Sequence, residues 1–187
     1  MIDPAVAKRI KLVAFDVDGV LTDGALYIAE VAGQRVESKR FHAQDGMAFW
    51  LLHAAGLRTA LVSGRTAAAT RLRAAELGIQ DVIEDVTGLG NKLPPFLELL
   101  ARHGVMPDET AFVGDDIPDL PVMQRVALPV AVANAVAEVK AAACFTTAAG
   151  GGHGALREFV EAFLRARGCW ADTVRTYLAE RGDDGPR

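Results

Sequence analysis

Two aspartates at i and i+2, Asp16 and Asp18, follow an apolar run and precede a glycine in the stretch Asp16-Val17-Asp18-Gly19-Val20-Leu21-Thr22-Asp23-Gly24. Carboxylates this close repel each other, and a bound cation or a shared proton relieves the repulsion. A second acidic group, Asp115-Asp116 with Asp119 soon after, comes at the end of apolar Phe112-Val113-Gly114. If adjacent in a sheet, two acid-tipped strands make an oxygen-rich site of the kind magnesium prefers. No cluster of histidines or cysteines points to a softer metal. Such a site acts on something anionic. Ser63-Gly64-Arg65 closes apolar Leu61-Val62, so that a hydroxyl, the Gly64 backbone amide and a helix N-terminus form a phosphate cradle. Lys92 opens another helix after Gly88-Leu89-Gly90, a position from which it can reach inward. Taken singly, the acidic pair competes with a plain Asp-Gly turn, Ser-Gly-Arg is more often a simple helix cap, and a lysine such as Lys92 is usually a solvated surface charge.

The elements that must position these residues alternate along the chain. Ile10–Phe15, Thr59–Val62, Asp81–Ile83, Ala111–Val113 and Val130–Val132 are short apolar runs expected as buried strands. Gly46–Ala55, Thr66–Leu77, Leu93–His103 and Leu120–Val126 have the length and pattern of helices between them. Gly56, Gly78 and Gly104 follow three of these helices as C-terminal stops. The alternation predicts an α/β fold, a doubly wound parallel sheet with ligands at the carboxyl ends of its strands. Ala25–Glu30 and Arg35–Phe41 break the alternation around Val31-Ala32-Gly33-Gln34 and predict a β-hairpin just after the first strand, projecting over the active end of the sheet. After the Gly150-Gly151-Gly152-His153-Gly154 loop, a helix is expected from about Ala155 to Arg167 and another over Ala171–Arg181, with Asp183–Arg187 disordered. Residues 1–168 form the expected core, including the hairpin at about 24–41, and 169–187 a helical or disordered tail.

The 187 residues are enough for one domain with a real core, at 51% hydrophobic and 24% charged. The net charge of -4 argues against a general nucleic-acid binder. No charged-then-apolar leader opens the chain and no apolar run reaches membrane-spanning length, so a cytoplasmic protein without a membrane partner is expected. Cys144 and Cys169 are too few for a disulfide scaffold or a zinc site; Cys144 is expected to be buried and Cys169 to lie in the tail.

In this order, the DxD pair, the Ser, the Lys and the GDDxxD pattern resemble the haloacid-dehalogenase superfamily of phosphatases, whose Rossmann-like core the predicted sheet matches. FDVDGVLTDG, the hairpin in place of a large cap, KRF..QDG, SGR, NKL, VGDDIPDLPVM and GGHGALRE are similar, from about Ile10 to Leu164, to the 3-deoxy-D-manno-octulosonate 8-phosphate phosphatases. The resemblance implies a magnesium-dependent, cytoplasmic homotetramer in lipopolysaccharide precursor synthesis, in which one subunit's hairpin helps cover the neighbouring active site. It implies Asp16 as nucleophile and metal ligand, Asp18 as general acid and base with its backbone carbonyl on the metal, and Asp115 as the third protein ligand. Ser63, Gly64 and Lys92 are implied at the phosphoryl oxygens, with Asp119 and Asp116 supporting Lys92 or metal-bound water. Gln44, Asp45, Gly46, Arg65 and Arg73 fall at positions that touch the sugar acid.

Departures lie in that sugar-binding part. The segment His42-Ala43-Gln44-Asp45-Gly46 replaces the usual Asn-Val-Arg-Asp-Gly, Trp50 stands where an arginine is frequent, and His153 replaces the arginine of the GGRGA loop. They keep open a related substrate, such as a nine-carbon keto-deoxy acid 9-phosphate. A receiver-type phospho-acceptor module shares the sheet, the acids and the lysine, but Asp18 supplies a hydrolytic base that such a module does not need.

Overall fold

The computed structural model describes residues 1–84 and 91–182. Six short strands form one parallel sheet: β1 (Leu12–Phe15), β4 (Arg58–Val62), β5 (Asp81–Ile83), β6 (Thr110–Gly114), β7 (Leu128–Ala131) and β8 (Phe145–Thr146). Their order across the sheet is β5-β4-β1-β6-β7-β8. From β1 the chain winds outward to β4 and β5, then returns across β1 to begin the other half at β6. The carboxyl ends of β1 and β6 therefore flank the point where the winding reverses, where open α/β sheets bind ligands.

All four residues of β1 are buried, as befits a parallel strand covered on both sides. The register shows which helix covers which face. Ala14 lies beside Phe112 and Phe15 beside Val113, and alternate residues of a strand point to opposite faces. Phe112 packs edge-on to Phe96 of α4 (Leu93–His103), ring centroids 5.9 Å apart. Phe15 packs on Phe49 of α2 (Ala43–Ala54) at 4.9 Å. Thus α2 and α4 lie on opposite faces. With α2 pack α7 (Ala155–Arg167), α8 (Trp170–Ala179) and, through α7, α1 (Pro4–Arg9); with α4 pack α5 (Leu120–Met123) and, through it, α6 (Ala137–Ala142). The remaining helix, α3 (Ala68–Glu76), follows β4.

After β1 comes the predicted hairpin, β2 (Tyr27–Val31) and β3 (Gln34–Ser38), paired with Val31 opposite Gln34. Its two-residue turn has positive φ at both Ala32 (51°) and Gly33 (75°), the primed geometry that matches strand twist. Ala32 is the only non-glycine residue with positive φ among those described.

The sequence reading differs from the structure mainly at element ends. The first strand begins at Leu12 rather than Ile10, α2 begins at Ala43 rather than Gly46, and the helix expected to Val126 stops at Met123. The elements α1, α6 and β8 were not anticipated; at six residues or fewer they are too short for periodicity to register. Cys144 is exposed rather than buried, and Cys169 is half-buried. The Gly88-Leu89-Gly90 loop and Asp183–Arg187 lie outside the described residues. No helix among the described residues is long and apolar enough to cross a membrane.

Candidate active site

The site begins where β1 ends. Asp16 donates its amide to the Val113 carbonyl of β6 (2.9 Å), so the sheet ladder carries it to the edge of the site. The chain then turns sharply. Gly19 has φ +100°, and a Cβ there would collide with the Asp115 carboxylate; only glycine lets the turn pass. Thr22 closes the turn, accepting from the amides of Gly19 (3.3 Å) and Gly24 (3.2 Å) and donating to the Val17 carbonyl (3.1 Å). Asn134 ties this turn to the glycine loop: its amide donates to the Gly19 carbonyl (2.9 Å) and its oxygen accepts from Gly151 (2.6 Å). A side chain on Gly151 would strike the Gly19 carbonyl, which accounts for a glycine there.

The second acidic group follows β6. Asp119 curls back so that Oδ2 accepts from the amides of Asp115 (2.9 Å) and Asp116 (3.2 Å), while Oδ1 accepts from Lys92 Nζ (2.7 Å). Gly114 gives it room, since a Cβ there would lie 2.7 Å from the Asp119 Cβ. Asp116 points outward and caps its own turn through the Ile117 amide (2.8 Å).

Lys92 at the start of α4 enters from the other half of the chain and is buried, hydrogen-bonded to both Asp16 Oδ1 and Asp119 Oδ1. Burial opposes its charge, but Asp16 and then Asp119 outweigh that and raise its pKa, so the ammonium stays charged. Burial is also the main influence on Asp16, raising its pKa; Asp119 adds to the rise and Lys92 pulls against it. Asp115 is pushed up to about 7, again by burial first and Asp119 second.

Carboxylate oxygens of Asp16, Asp115 and Asp119 lie within 4.8 Å of one another. Asp115 Oδ1 is buried with no hydrogen-bond partner among the described residues. An orphaned, buried carboxylate oxygen beside another acid is what a hard divalent cation would satisfy, so the donor set fits such an ion. Both oxygens of Asp119 are already engaged, which leaves Asp16 and Asp115 as the side-chain donors. Asp119 belongs one step out, orienting Lys92 and the Asp115 backbone.

A cavity of about 240 Å³ opens beside these groups. It is lined by Asp16, Asp18, Lys92 and Asp115, with Gly64 and Arg65 on one wall and Asp116 and Pro118 nearby. Ser63 Oγ lies 3.4 Å from Asp18 Oδ2 and accepts from the Arg65 amide (3.1 Å). Of the residues singled out for chemistry, the structure therefore gathers Asp16, Asp18, Ser63, Gly64, Arg65, Lys92, Asp115, Asp116 and Asp119.

The other sugar-acid candidates lie elsewhere. Asp45 is fully buried, and its oxygens accept from the amides of Gly154 (3.0 Å) and Arg157 (2.9 Å), tying α2 to the start of α7. Burial raises its pKa against the pull of those amides. Gly46 is packed under Arg73, which pairs with Glu76 (2.9 Å) and lies over the Phe41 ring (5.8 Å). Gln44 is exposed. Two positions noted as departures are also in use: Trp50 packs edge-on to Tyr177 of α8 (4.9 Å), and His153 Nε2 meets Arg40 (2.5 Å).

Two residues went unnoticed in the sequence reading. Asn134 carries no motif of its own and emerges only from its contacts. Lys39 lies within the Lys39-Arg40-Phe41 stretch but had no assigned role; its Nζ is 2.7 Å from Asp18 Oδ1.

Comparisons with known proteins agree with this geometry. A family model described as haloacid dehalogenase-like hydrolase matches residues 86–157. The 3-deoxy-D-manno-octulosonate 8-phosphate phosphatase KdsC of Escherichia coli K12 is 38% identical over 164 residues, 88% of this chain and 84% of the relative. The Moraxella catarrhalis phosphatase of the same name, solved in complex with magnesium, phosphate and KDO, superposes with a TM-score of 0.84 at 33% identity, covering 93% of this chain and 97% of that one. The cobalt-bound deoxy-D-mannose-octulosonate 8-phosphate phosphatase (YrbI) of Haemophilus influenzae gives 0.83 at 35% identity, covering 92% and 99%.

The raised acids generate a prediction. Asp115 ionises near 7 in the folded chain against 3.8 unfolded, so the folded state binds the extra proton between those values. Its contribution to stability without metal is full below pH 3.8 and falls as pH rises towards 7. A divalent cation must expel that proton. Titration calorimetry with magnesium at about pH 6, in two buffers of different ionisation enthalpy, is expected to show proton release that fades by about pH 8 and is largely absent in Asp115→Asn. Identical heats in the two buffers would contradict it.

Proposed function

The chain belongs to the family of 3-deoxy-D-manno-octulosonate 8-phosphate phosphatases, haloacid dehalogenase-like hydrolases, and from that membership we propose that it releases phosphate from 3-deoxy-D-manno-octulosonate 8-phosphate with magnesium as cofactor. That it is a phosphatase follows from the family; the substrate and the ion are the proposal. The observation that carries the chemistry is the convergence of Asp16, Asp115 and Asp119 near the carboxyl ends of two neighbouring strands, with one buried ammonium paired to Asp16 and Asp119.

Phosphate monoesters hydrolyse very slowly because an anionic nucleophile must approach an anionic phosphoryl group. Asp16 is the proposed nucleophile, attacking phosphorus in line to form an aspartyl phosphate. Lys92 lies against it and offsets charge on the phosphoryl oxygens, which the Ser63 hydroxyl and Gly64 amide also receive. Magnesium, held by Asp16, Asp115 and the Asp18 backbone carbonyl, would supply the remaining positive charge that draws the phosphoryl group to Asp16. Asp18, facing the cavity two residues on, gives its proton to the departing sugar oxygen and then takes one from the water that releases phosphate. Arg65, on the cavity wall and paired with Glu37 (2.9 Å), is the cation best placed for the anionic part of the substrate.

The hairpin supports a homotetramer, which we also propose. Tyr27, Ile28, Val31 and Val36 expose apolar surface on a two-stranded ribbon, and such a ribbon gains from burial against a second copy. Sedimentation velocity is expected to show an assembly of four chains; a monomer at micromolar concentration would remove this part.

Asp16→Asn is expected to lower turnover roughly 10³-fold or more, because the covalent route is lost. Activity near that of the parent would refute the nucleophile. Substrate is tested by phosphate release from a panel of sugar-acid phosphates, with and without chelator. We expect 3-deoxy-D-manno-octulosonate 8-phosphate to be preferred over hexose phosphates, magnesium to restore chelated enzyme and calcium to do so poorly, its looser coordination misplacing Asp16. Preference for a nine-carbon 9-phosphate would reassign the substrate and leave the chemistry standing.

A further inference from the structure

A second lysine enters the acidic site, and it comes from the hairpin. Lys39 follows β3, and its side chain is completely buried, with 0% exposure. A long basic side chain at the base of a surface ribbon normally carries its ammonium out to water. Burying it is costly unless an opposite charge meets it. The partner is Asp18, whose Oδ1 is 2.7 Å from Nζ. The contact is an ion pair without hydrogen-bond alignment, and Nζ has no aligned partner among the described residues.

The two oxygens of Asp18 are thereby distinguished. Oδ1 is held by the hairpin, while Oδ2 faces Ser63 Oγ at 3.4 Å, on the side of the phosphate cradle. The strand end that delivers Lys39 is itself fastened on either side. Glu37 pairs with Arg65 of the cradle loop (2.9 Å), and Arg40 pairs with Asp23 of the turn that follows β1 (2.8 Å). A lysine fixed between two such ties can hold a carboxylate in one orientation.

We propose that Lys39 is a positioning residue for Asp18: it anchors Oδ1 and thereby presents Oδ2 to the leaving group. This rests on the roles proposed above for Asp16 and Asp18. In the first half of the reaction, a bond forms from an Asp16 oxygen to phosphorus as the bond from phosphorus to the sugar oxygen breaks. Asp18 Oδ2, ionised beside the Lys39 ammonium at rest, takes the proton carried by the monoanionic ester and passes it to that oxygen, which leaves as an alcohol, and Asp18 is again a carboxylate beside Lys39. In the second half, water attacks phosphorus, the bond to Asp16 breaks, and Oδ2 takes a proton from the water. With Lys39 gone, the carboxylate is free to turn, and proton transfer suffers while attack by Asp16 does not.

That asymmetry separates positioning from a merely structural ion pair. The test compares the parent, Lys39→Met and Asp18→Asn, each with magnesium, on two esters: the alkyl ester selected by the substrate panel, whose leaving oxygen needs a proton, and p-nitrophenyl phosphate, whose phenolate leaves without one. The reading is the first-turnover rate of leaving-group release, which precedes attack by water. Lys39→Met is expected to slow the alkyl ester about 10–100-fold and the aryl ester less than about threefold, within the span that a positioned proton donor contributes. Lys39→Gln, neutral but still polar, is held to the same outcome should Lys39→Met not fold. Equal loss on both esters, or no loss, overturns the role of Lys39 if Asp18→Asn still discriminates between them. If Asp18→Asn does not discriminate, the assignment of Asp18 itself fails.

Discussion

An ammonium shut away from water and pinned between two carboxylates is the interaction on which the rest of this structure depends. Lys92 comes from the start of α4, Asp16 from the end of β1 and Asp119 from the turn after β6, so three separate stretches of chain meet at one charge. With Asp115 beside them, the acids outnumber the lysine. The excess is visible in the raised pKa values of Asp16 and Asp115, for which burial is the leading cause and neighbouring acids the next. A site in this condition holds either protons or a divalent cation, and the exchange of one for the other links metal binding to pH.

Positioning these charges places demands on residues that carry none. Gly19 must pass beneath the Asp115 carboxylate, Gly114 must leave space for Asp119, and Gly151 must lie against the Gly19 carbonyl. Each is a close approach that a Cβ would block. Asn134 then joins two of these loops through one amide group, donating to one and accepting from the other. The acidic pocket is therefore shaped from backbone brought unusually close, and the apolar strands beneath it supply the rigidity. Phe15 of β1 and Phe112 of β6, one residue out of register, point to opposite faces and lock the two acid-bearing strands to α2 and α4.

The hairpin is the part of the fold most directly tied to the cavity from above the sheet. Its base reaches inward through Lys39 and Arg40 to the turn after β1 and through Glu37 to the cradle loop, while its tip exposes apolar side chains. One short ribbon thus combines a charged inner end with an apolar outer end. The same ribbon can in this way serve both the proposed assembly and the orientation of Asp18.

Much was legible in the sequence because short-range chemistry dictates it. Apolar runs ending in Asp16 and Asp115 read as strand ends, glycines after α2, α3 and α4 fit helix stops, and Val31-Ala32-Gly33-Gln34 reads as the turn of a hairpin. All of these depend on neighbours a few residues apart. The haloacid-dehalogenase resemblance added roles that no spacing could supply. What remained out of reach was set by contacts across the chain. Asp45, expected with Gly46 at the sugar acid, is buried as an anchor for α7, 109 and 112 residues away from its two partners. For Asp119 the resemblance implied support of Lys92, and only the structure shows its other oxygen accepting from the Asp115 and Asp116 amides. Lys39 reads as an ordinary surface lysine, and its side chain is buried against Asp18. The sequence alone determined which side chains were able to do chemistry and the strands and helices that present them; the tertiary structure decided which charges are desolvated and paired, because burial and ion pairing depend on what distant parts of the chain bring to within a few ångströms.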